Sequence, residues 1–400
     1  MTLVSFADIE AACGRIAGRV LRTPAVRSDT LSRATGAEIV LKLDNLQVTG
    51  AFKERGAANR LALLTADEAA RGVIAMSAGN HAQAVARHAH LLGVAATIVM
   101  PKFTPTTKVT RTASWGARVV LHGESLAEAA AHAHHLAETE GLVFIHPYDD
   151  PGIIAGQGTL ALELLQDFPD LDVLVIPIGG GGLMAGCATA ARAMKPGIEI
   201  LGVEVEAYSA MAQRLAGMPV SVGGQTVAEG MAVRDVGELP FDILKTFGIE
   251  VLIVPEATVE QAIGLLAEGA KLVAEGAGAA ALAAVLQYPD RFAGKRVGLP
   301  VCGGNIDARI LANTLQRNLL RDGRMLRLVL EMPDRPGMLG DIATRIGNEG
   351  GNILEVAHHR LFSSPTVQAA QLEVMIEARD AAHGSFIESK LREAYIVRRL

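Results

Sequence analysis

Lys53 is the residue of this chain whose surroundings most favour a chemical role. It lies in the segment Thr49-Gly50-Ala51-Phe52-Lys53-Glu54-Arg55-Gly56-Ala57, after a small, flexible pair and beside an aromatic ring. Glycines let a backbone approach a ligand closely, and a ring can cover one face of that ligand. A lysine amine that is removed from water is a nucleophile toward carbonyl carbons. We therefore hypothesise a Schiff base at Lys53; a solvated surface lysine is the alternative.

A glycine run indicates where a phosphate could bind. It follows the apolar run Val173–Ile178 and precedes Leu183 and an alanine-rich stretch. Consecutive N–H groups at a strand-to-helix turn can converge on an anion, and the helix N-terminus adds partial positive charge. A phosphate beside a Schiff-base lysine fits pyridoxal phosphate (PLP). A tight turn whose glycines only relieve crowding is the alternative. The glycines are Gly179, Gly180, Gly181 and Gly182.

The same run permits a second interpretation. Gly180, Gly182 and Ala185 fit the spacing G-x-G-x-x-A, and Glu204 follows about 20 residues on, as in dinucleotide-binding folds. This spacing suggests an oxidoreductase. The match is weak because the motif is loose, its unit lies in mid-chain, and Lys53 is left without a role.

Two further segments follow predicted strands. Ser77-Ala78-Gly79-Asn80-His81-Ala82-Gln83 opens a predicted helix, and its hydroxyl, amide and N–H groups could hold a substrate carboxylate. Helix capping by Ser77 or Asn80 is the alternative. Cys302 ends the run Val297–Val301, and alone a buried cysteine is usually only an apolar filler.

The elements that would position these segments alternate between short apolar strands and helices. Patterns such as Ala82–Leu92 and Ser125–Glu140 have helical length. Alternation of this kind predicts an α/β fold with a mostly parallel sheet, whose ligands collect at the carboxyl ends of strands. The predicted strands are Val73–Met76, Ala96–Met100, Ala117–Leu121, Val173–Ile178, Ile198–Glu204 and Val297–Val301.

The pattern changes near Asp322, where a strand–helix–strand–strand–helix–strand order begins. That order predicts a ferredoxin-like module. We place domains at residues 1–322, with a smaller lobe at roughly 50–150, and at 323–400. The predicted elements of the module are Met325–Glu331, Met338–Gly347, Ile353–Phe362, Ala369–Ile376, Gly384–Leu391 and Ala394–Arg398.

Composition excludes several classes of protein. The 400 residues carry a net charge of −6 with interspersed signs, which argues against a nucleic-acid partner. No apolar run is long enough for a membrane span, and no signal peptide is indicated. Three widely spaced cysteines favour a reduced, cytoplasmic setting. His132 and His135 share a helix face without a further ligand, so we expect no metal site there.

Together, the lysine segment, the Ser77–Gln83 loop, the tetraglycine run and the strand ending near Cys302 resemble the PLP-dependent threonine dehydratases of the tryptophan-synthase-β-like family. The resemblance covers about residues 9–320, and its combined motifs are specific. It implies the two-lobed PLP fold type II with mostly parallel sheets. The tail from Leu326 resembles an ACT domain through Asp334-Arg335-Pro336-Gly337-Met338-Leu339 and Gly351-Asn352-Ile353.

The resemblance also implies residue roles. Lys53 would hold PLP and later take the α-proton, with Phe52 beside the ring and Cys302 facing the pyridine nitrogen. Asn80 would bind the 3′-oxygen. Gly230, in Ala228-Glu229-Gly230, would line the hydroxyl side of the substrate. The phosphate would be bound by Gly179, Gly180, Gly181, Gly182 and Leu183, and the substrate carboxylate by Ser77, Ala78, Asn80 and His81.

The implied activity is deaminating dehydration of L-threonine to 2-oxobutanoate and ammonia, with L-serine as a secondary substrate. Ala78 stands where serine racemases carry an acid–base serine, and Tyr208 and Ala210 match their divalent-metal site poorly, so we expect neither racemisation nor a divalent metal. The ACT resemblance implies a homo-oligomer, a dimer or tetramer, and an amino-acid effector. Dehydration of another 3-hydroxy amino acid, such as hydroxyaspartate, and a non-catalytic amino-acid-binding regulator remain alternatives.

Overall fold

The computed structural model describes residues 4–359 and 369–400, and the chain divides into two compact units, residues 1–307 and 308–400. The first unit alternates strands and helices, as the sequence predicts. Its strands are β1 (Ala25–Arg27), β2 (Glu38–Lys42), β3 (Val73–Met76), β4 (Ala96–Met100), β5 (Arg118–Leu121), β6 (Val143–Phe144), β7 (Val173–Pro177), β8 (Glu199–Val205), β9 (Glu250–Val254) and β10 (Arg296–Pro300).

The helices of this unit connect successive strands, and 3₁₀ turns at Asp44–Leu46, Glu206–Tyr208 and Glu229–Met231 shape the loops. A π-helical turn, Leu266–Ala270, follows the twelfth helix. The helices are α1 (Phe6–Ile16), α2 (Asp29–Thr35), α3 (Lys53–Ala62), α4 (Ala66–Arg71), α5 (Asn80–Leu92), α6 (Thr106–Ala113), α7 (Leu126–Glu140), α8 (Pro151–Asp167), α9 (Gly182–Met194), α10 (Ala210–Leu215), α11 (Glu238–Phe247), α12 (Glu256–Leu265), α13 (Gly276–Gln287) and α14 (Pro289–Phe292).

Two sheets carry the candidate site. The larger has the strand order β1-β2-β10-β7-β8-β9 and is parallel except for β1. Because β7 and β10 are neighbours, the tetraglycine turn and Cys302 leave the same sheet edge side by side. Helices α8 and α9 pack closely through glycines, since a Cβ on Gly186 would lie 2.3 Å from the Ile154 carbonyl oxygen.

The smaller sheet, β5-β4-β3-β6, is parallel throughout and spans residues 73–144. Its apolar core includes Ile98 on β4 and Val85 on α5, both fully buried. The loop that carries Asn80 follows β3 at the carboxyl edge of this sheet. The α/β prediction with mostly parallel sheets is therefore confirmed.

The second unit is an antiparallel sheet with helices. The strand order β12-β13-β11-β14 is that of a ferredoxin-like module, which confirms the predicted order of elements. The predicted strand Ile353–Phe362 extends at its end beyond the described residues. The domain boundary near Asp322 and the ACT assignment remain predictions. The elements are α15 (Ala308–Arg321), β11 (Met325–Pro333), α16 (Met338–Asn348), β12 (Asn352–His359), β13 (Ala369–Glu377), α17 (Ala381–Arg392) and β14 (Ile396–Arg399).

Across residues 4–359 and 369–400, no helix is both long enough and apolar enough to cross a membrane.

Candidate active site

The lysine segment is held directly against the end of β10. Ala51 forms an antiparallel bridge with Gly303, and the Phe52 N–H donates to the Cys302 carbonyl oxygen at 2.9 Å. Helix α3 then begins at Lys53 itself. Residues that are about 250 positions apart therefore meet through backbone hydrogen bonds, which fix the start of the helix with little freedom.

The Lys53 side chain is partly buried. Its Nζ donates to the Pro147 carbonyl oxygen at 2.7 Å and lies 5.2 Å from the centroid of the Phe52 ring. Burial lowers the pKa of Lys53 to about 8, while the charge of Glu275 opposes that shift. Near pH 8 a large fraction of the amine is therefore neutral and nucleophilic, as the hypothesised Schiff base requires.

The tetraglycine turn is crowded on one side and open on the other. A Cβ on Gly180 would lie 2.2 Å from the Tyr148 ring, and one on Gly182 would lie 2.8 Å from the Tyr148 carbonyl oxygen. Gly181 adopts φ 94° and occupies the N-cap of α9. Within the described parts of the chain, the N–H groups of Gly179–Leu183 have no hydrogen-bond partner. Crowding thus explains the glycines, and the free N–H groups at a helix N-terminus form an anion cradle.

The loop after β3 presents a second helix N-terminus. Helix α5 begins at Asn80, two residues before the predicted start, with Gly79 at the N-cap and no side-chain cap. Ser77 Oγ accepts the Gly79 N–H at 3.1 Å, so neither Ser77 nor Asn80 caps the helix. The N–H groups of Ala78 and His81 find no partner in the described residues. This arrangement suits a carboxylate.

His81 is neutral in this setting. Its Nε2 donates to the Ile145 carbonyl oxygen at 3.0 Å, which leaves Nδ1 unprotonated and, among the described residues, without a partner. Burial, followed by the charge of Lys53, lowers the pKa of His81 to about 3. Its ring therefore adds no charge beside Lys53.

Asn80 is part of a polar network that sequence reasoning missed. Its Nδ2 donates to Glu275 Oε1 at 2.7 Å, and its Oδ1 accepts from Asn305 Nδ2 at 2.8 Å. Asn305 Nδ2 also donates to the Thr49 carbonyl oxygen at 2.7 Å, which ties the network to the lysine segment. Burial raises the pKa of Glu275 to about 7, and the bond from Asn80 opposes this rise.

Sequence reasoning also missed two residues of the candidate site, Pro147 and Tyr148, which lie in the connection from β6 to α8. The Tyr148 hydroxyl donates to the Asp235 carbonyl oxygen at 2.6 Å while its ring packs on the tetraglycine turn. Burial raises the pKa of Tyr148 to about 12, so it stays protonated. The sequence offered one signal for this contact. Gly180 lacks a side chain, which leaves room for an aromatic ring such as that of Tyr148.

A cavity of about 400 Å³ borders this network. It shares Thr49, Gly50 and Asn305 with the site, but Lys53 does not line it. We therefore do not assign the substrate to this cavity, since the chemistry requires contact with the Lys53 amine.

Comparison with known proteins decides the family. Residues 16–303 match the model of the family described as pyridoxal-phosphate dependent enzyme. An L-threonine ammonia-lyase of Thermotoga maritima is 41% identical over 397 residues, 97% of each chain. The chain belongs to the pyridoxal-phosphate dependent enzymes.

Solved structures agree with that assignment. The processed form of threonine deaminase isoform 2 from Solanum lycopersicum superposes with a TM-score of 0.74 at 33% identity, covering 79% of this chain and 87% of that one. Maize serine racemase also gives a TM-score of 0.74 at 33% identity, covering 80% of this chain and 99% of that one. The resemblance to the PLP-dependent type II family is confirmed, and PLP is the cofactor.

In this PLP-dependent enzyme Cys302 is a buried, neutral thiol. It is 2% exposed, and its Sγ donates to the Ala277 carbonyl oxygen at 3.4 Å. Burial, followed by the charge of Glu275, raises the pKa of Cys302 well above its ordinary value. Cys302 therefore supplies no negative charge that would hold a proton on a neighbouring ring nitrogen.

The structure does not support the dinucleotide-binding interpretation, because its acidic residue is already occupied. Glu204 lies one residue before the end of β8 and is 1% exposed. Its two carboxylate oxygens accept the N–H groups of Met211 and Ala212, each at 2.8 Å. Burial raises the pKa of Glu204 to about 7. Because its carboxylate already binds the start of α10, Glu204 is not available to a ribose.

Proposed function

We propose that this PLP-dependent enzyme converts L-threonine to 2-oxobutanoate and ammonia, with L-serine as a secondary substrate. The observation that carries the proposal is Lys53, a partly buried amine with a pKa of about 8. Its Nζ donates to the Pro147 carbonyl oxygen, next to the Tyr148 ring that packs on the tetraglycine turn. The 41% identity over nearly the whole chain to an enzyme named L-threonine ammonia-lyase supports it.

The residues present fit the cofactor. The unpartnered N–H groups of Gly179–Leu183 would hold its phosphate, and Lys53 would bind its aldehyde carbon. Asn80 Nδ2 has a second hydrogen beyond the one donated to Glu275, and this hydrogen would donate to the 3′-oxygen. Phe52 would lie beside the ring and Cys302 would face its nitrogen. When bound, PLP withdraws electrons from the α-carbon of the substrate.

The substrate would lie between two helix N-termini. Its carboxylate would bind at Ser77, Ala78, Asn80 and His81, where the α5 N–H groups are free. Its hydroxyl side would face Gly230, whose carbonyl oxygen lies 2.8 Å from a Cβ built on Gly179. This placement leaves the α-carbon facing the loop of Lys53.

Lys53 is then the group that moves the proton. An amine with a pKa of about 8 is neutral often enough near pH 8 to take the α-proton, and basic enough to keep it. The Pro147 carbonyl oxygen accepts a hydrogen bond from the resulting ammonium and so keeps it in place. The neutral Cys302 thiol favours elimination over transamination, because no charge holds a proton on the ring nitrogen.

For the rest of the chain we propose an ACT domain at residues 323–400, a homo-oligomer and a cytoplasmic location. The ferredoxin-like order of β11–β14 supports the first, together with the turn in which Gly337 adopts φ 90° at the N-cap of α16. An amino-acid effector at this domain would modulate the activity.

The test is 2-oxo acid release from L-threonine by the purified, PLP-supplemented protein, with L-serine and L-hydroxyaspartate run alongside. We expect 2-oxobutanoate to form fastest, and Lys53→Ala to abolish turnover without loss of folding. Faster product from hydroxyaspartate would keep the chemistry and overturn the specificity. Retained turnover in Lys53→Ala would refute the role of Lys53, and no product from any substrate would favour the non-catalytic regulator.

A further inference from the structure

An ion pair bridges the two sides of the site mouth. Lys108 Nζ on α6 lies 2.8 Å from Glu229 Oε2, in the loop that precedes Gly230. Helix α6 belongs to the smaller sheet's side, which carries Asn80, whereas Glu229 belongs to the larger sheet's side. The side chains are 30% and 73% exposed, so the pair lies at the rim rather than in the interior.

The pair lies beside the groups that would surround the substrate. A Cβ on Gly230 would lie 3.8 Å from Glu275 Oε1, the same oxygen that accepts from Asn80. Burial is the main cause of the raised pKa of Glu275, and the charges of Lys108 and Glu229 shift it in opposite directions. Both rim charges therefore act on the recess bounded by Asn80, Gly230 and Glu275.

The substituent on the β-carbon distinguishes the candidate substrates. Threonine carries a methyl group there, serine a hydrogen, and hydroxyaspartate a second carboxylate. With the α-carboxylate at the N-terminus of α5 and the β-carbon toward Gly230, a second carboxylate would be directed to the rim. There the Glu229 carboxylate would repel it, and the Lys108 ammonium would already be paired with Glu229.

We propose that Glu229 makes this site select against 3-hydroxy amino acids that carry a second carboxylate. It does so by occupying the ammonium of Lys108 and by adding its own negative charge at the rim. The inference rests on the proposed function, since it uses the substrate placement given there. Without Glu229, Lys108 would be a free cation facing the β-substituent.

The test compares hydroxyaspartate with threonine as a ratio of kcat/KM values. Glu229→Gln should raise that ratio roughly two- to fivefold at low salt, the upper part of the range expected for a solvent-exposed charge within a few ångströms. The gain should shrink at about 1 M salt, where the Debye length falls to about 3 Å. Lys108→Gln should lower the ratio, and adding it to Glu229→Gln should remove the gain.

Glu140→Gln is the matched control. It also removes one negative charge and breaks an exposed ion pair, the one at 2.7 Å between Arg118 on the edge strand β5 and Glu140 at the end of α7. Its ratio should equal that of the unmodified protein. If hydroxyaspartate is not turned over, its inhibition constant against threonine provides the same comparison.

A ratio that changes less than twofold in Glu229→Gln, or that rises equally in Glu140→Gln, would overturn the inference. Turnover of threonine by the unmodified protein separates the two levels of failure. If the unmodified protein releases 2-oxobutanoate and the ratio is unchanged, only the selectivity of Glu229 fails. If it releases none, the proposed function fails first.

Discussion

Arg55, two residues after Lys53 on α3, is the residue whose loss should destabilise the catalytic unit most clearly. Its guanidinium makes bidentate pairs with Asp44 and with Glu163, at distances of 2.6 to 2.9 Å, and its side chain is fully buried. Lys42, also fully buried, donates to Glu163 at 2.6 Å. Burial alone would raise the pKa of Asp44, but Arg55 holds it below its ordinary value.

Replacing Arg55 by methionine keeps much of the side-chain volume and removes the charge. Two buried carboxylates would then share the single ammonium of Lys42, which leaves one negative charge uncompensated. Breaking a buried pair in this way costs about 3–5 kcal/mol. Adding Asp44→Asn removes the excess charge, so the double variant should recover at least about 1 kcal/mol.

The assay is urea denaturation of the PLP-loaded protein, followed by the loss of absorbance of lysine-bound PLP, which reports on the catalytic unit alone. Arg118→Met is the control, since its partner Glu140 is exposed and the pair should contribute at most about 1 kcal/mol. The reasoning would be refuted if Arg55→Met lost no more stability than Arg118→Met. It would also be refuted if adding Asp44→Asn to Arg55→Met lowered the stability further.

Three further predictions concern the site itself. In the apo-protein, attachment of PLP to Lys53 should accelerate as pH rises, with a midpoint near 8 rather than 10.5, because only the neutral amine attacks; a midpoint near 10 would contradict the effect of burial. Glu275→Gln should shift that midpoint to lower pH, since the Glu275 charge raises the pKa of Lys53; a shift to higher pH would disprove the coupling. Tyr148→Phe should weaken PLP binding roughly fivefold, about 1 kcal/mol, by releasing the Asp235 carbonyl from its tether. Tyr288→Phe, which loses a similar bond to a carbonyl oxygen elsewhere, should leave the PLP affinity unchanged in the same titration.

Much of the fold is predictable because the buried strands have a simple pattern. Val73–Met76 and Ala96–Met100 were predicted with the bounds that the structure has. Strand β2 was missed because Glu38 and Lys42 make it look exposed, whereas Lys42 is fully buried and paired with Glu163. The order of strands in the larger sheet was also out of reach, because β2 pairs with β10 across most of the chain.

The loops of the candidate site could be predicted from the sequence, whereas the side chains that connect them could not. The glycine turn and the Asn80 loop can be recognised in the sequence because small and polar residues directly follow apolar runs. Glu275 is a single carboxylate whose partner, Asn80, is 195 residues away. A signal did exist, since Gly278 lies where a Cβ would be 2.2 Å from the Gly303 carbonyl oxygen, and such a glycine marks a close approach.

The electrostatics of the candidate site favour anion binding at helix N-termini. Burial keeps His81 neutral with a pKa of about 3, keeps the Cys302 thiol protonated, and brings the pKa of Lys53 down to about 8. Few fixed side-chain charges thus remain to attract the phosphate and the substrate carboxylate, both anions. In the proposed function the free N–H groups at the starts of α9 and α5 would do so, and backbone dipoles neither titrate nor move away. Proton transfer should therefore follow the titration of Lys53, with its pKa of about 8.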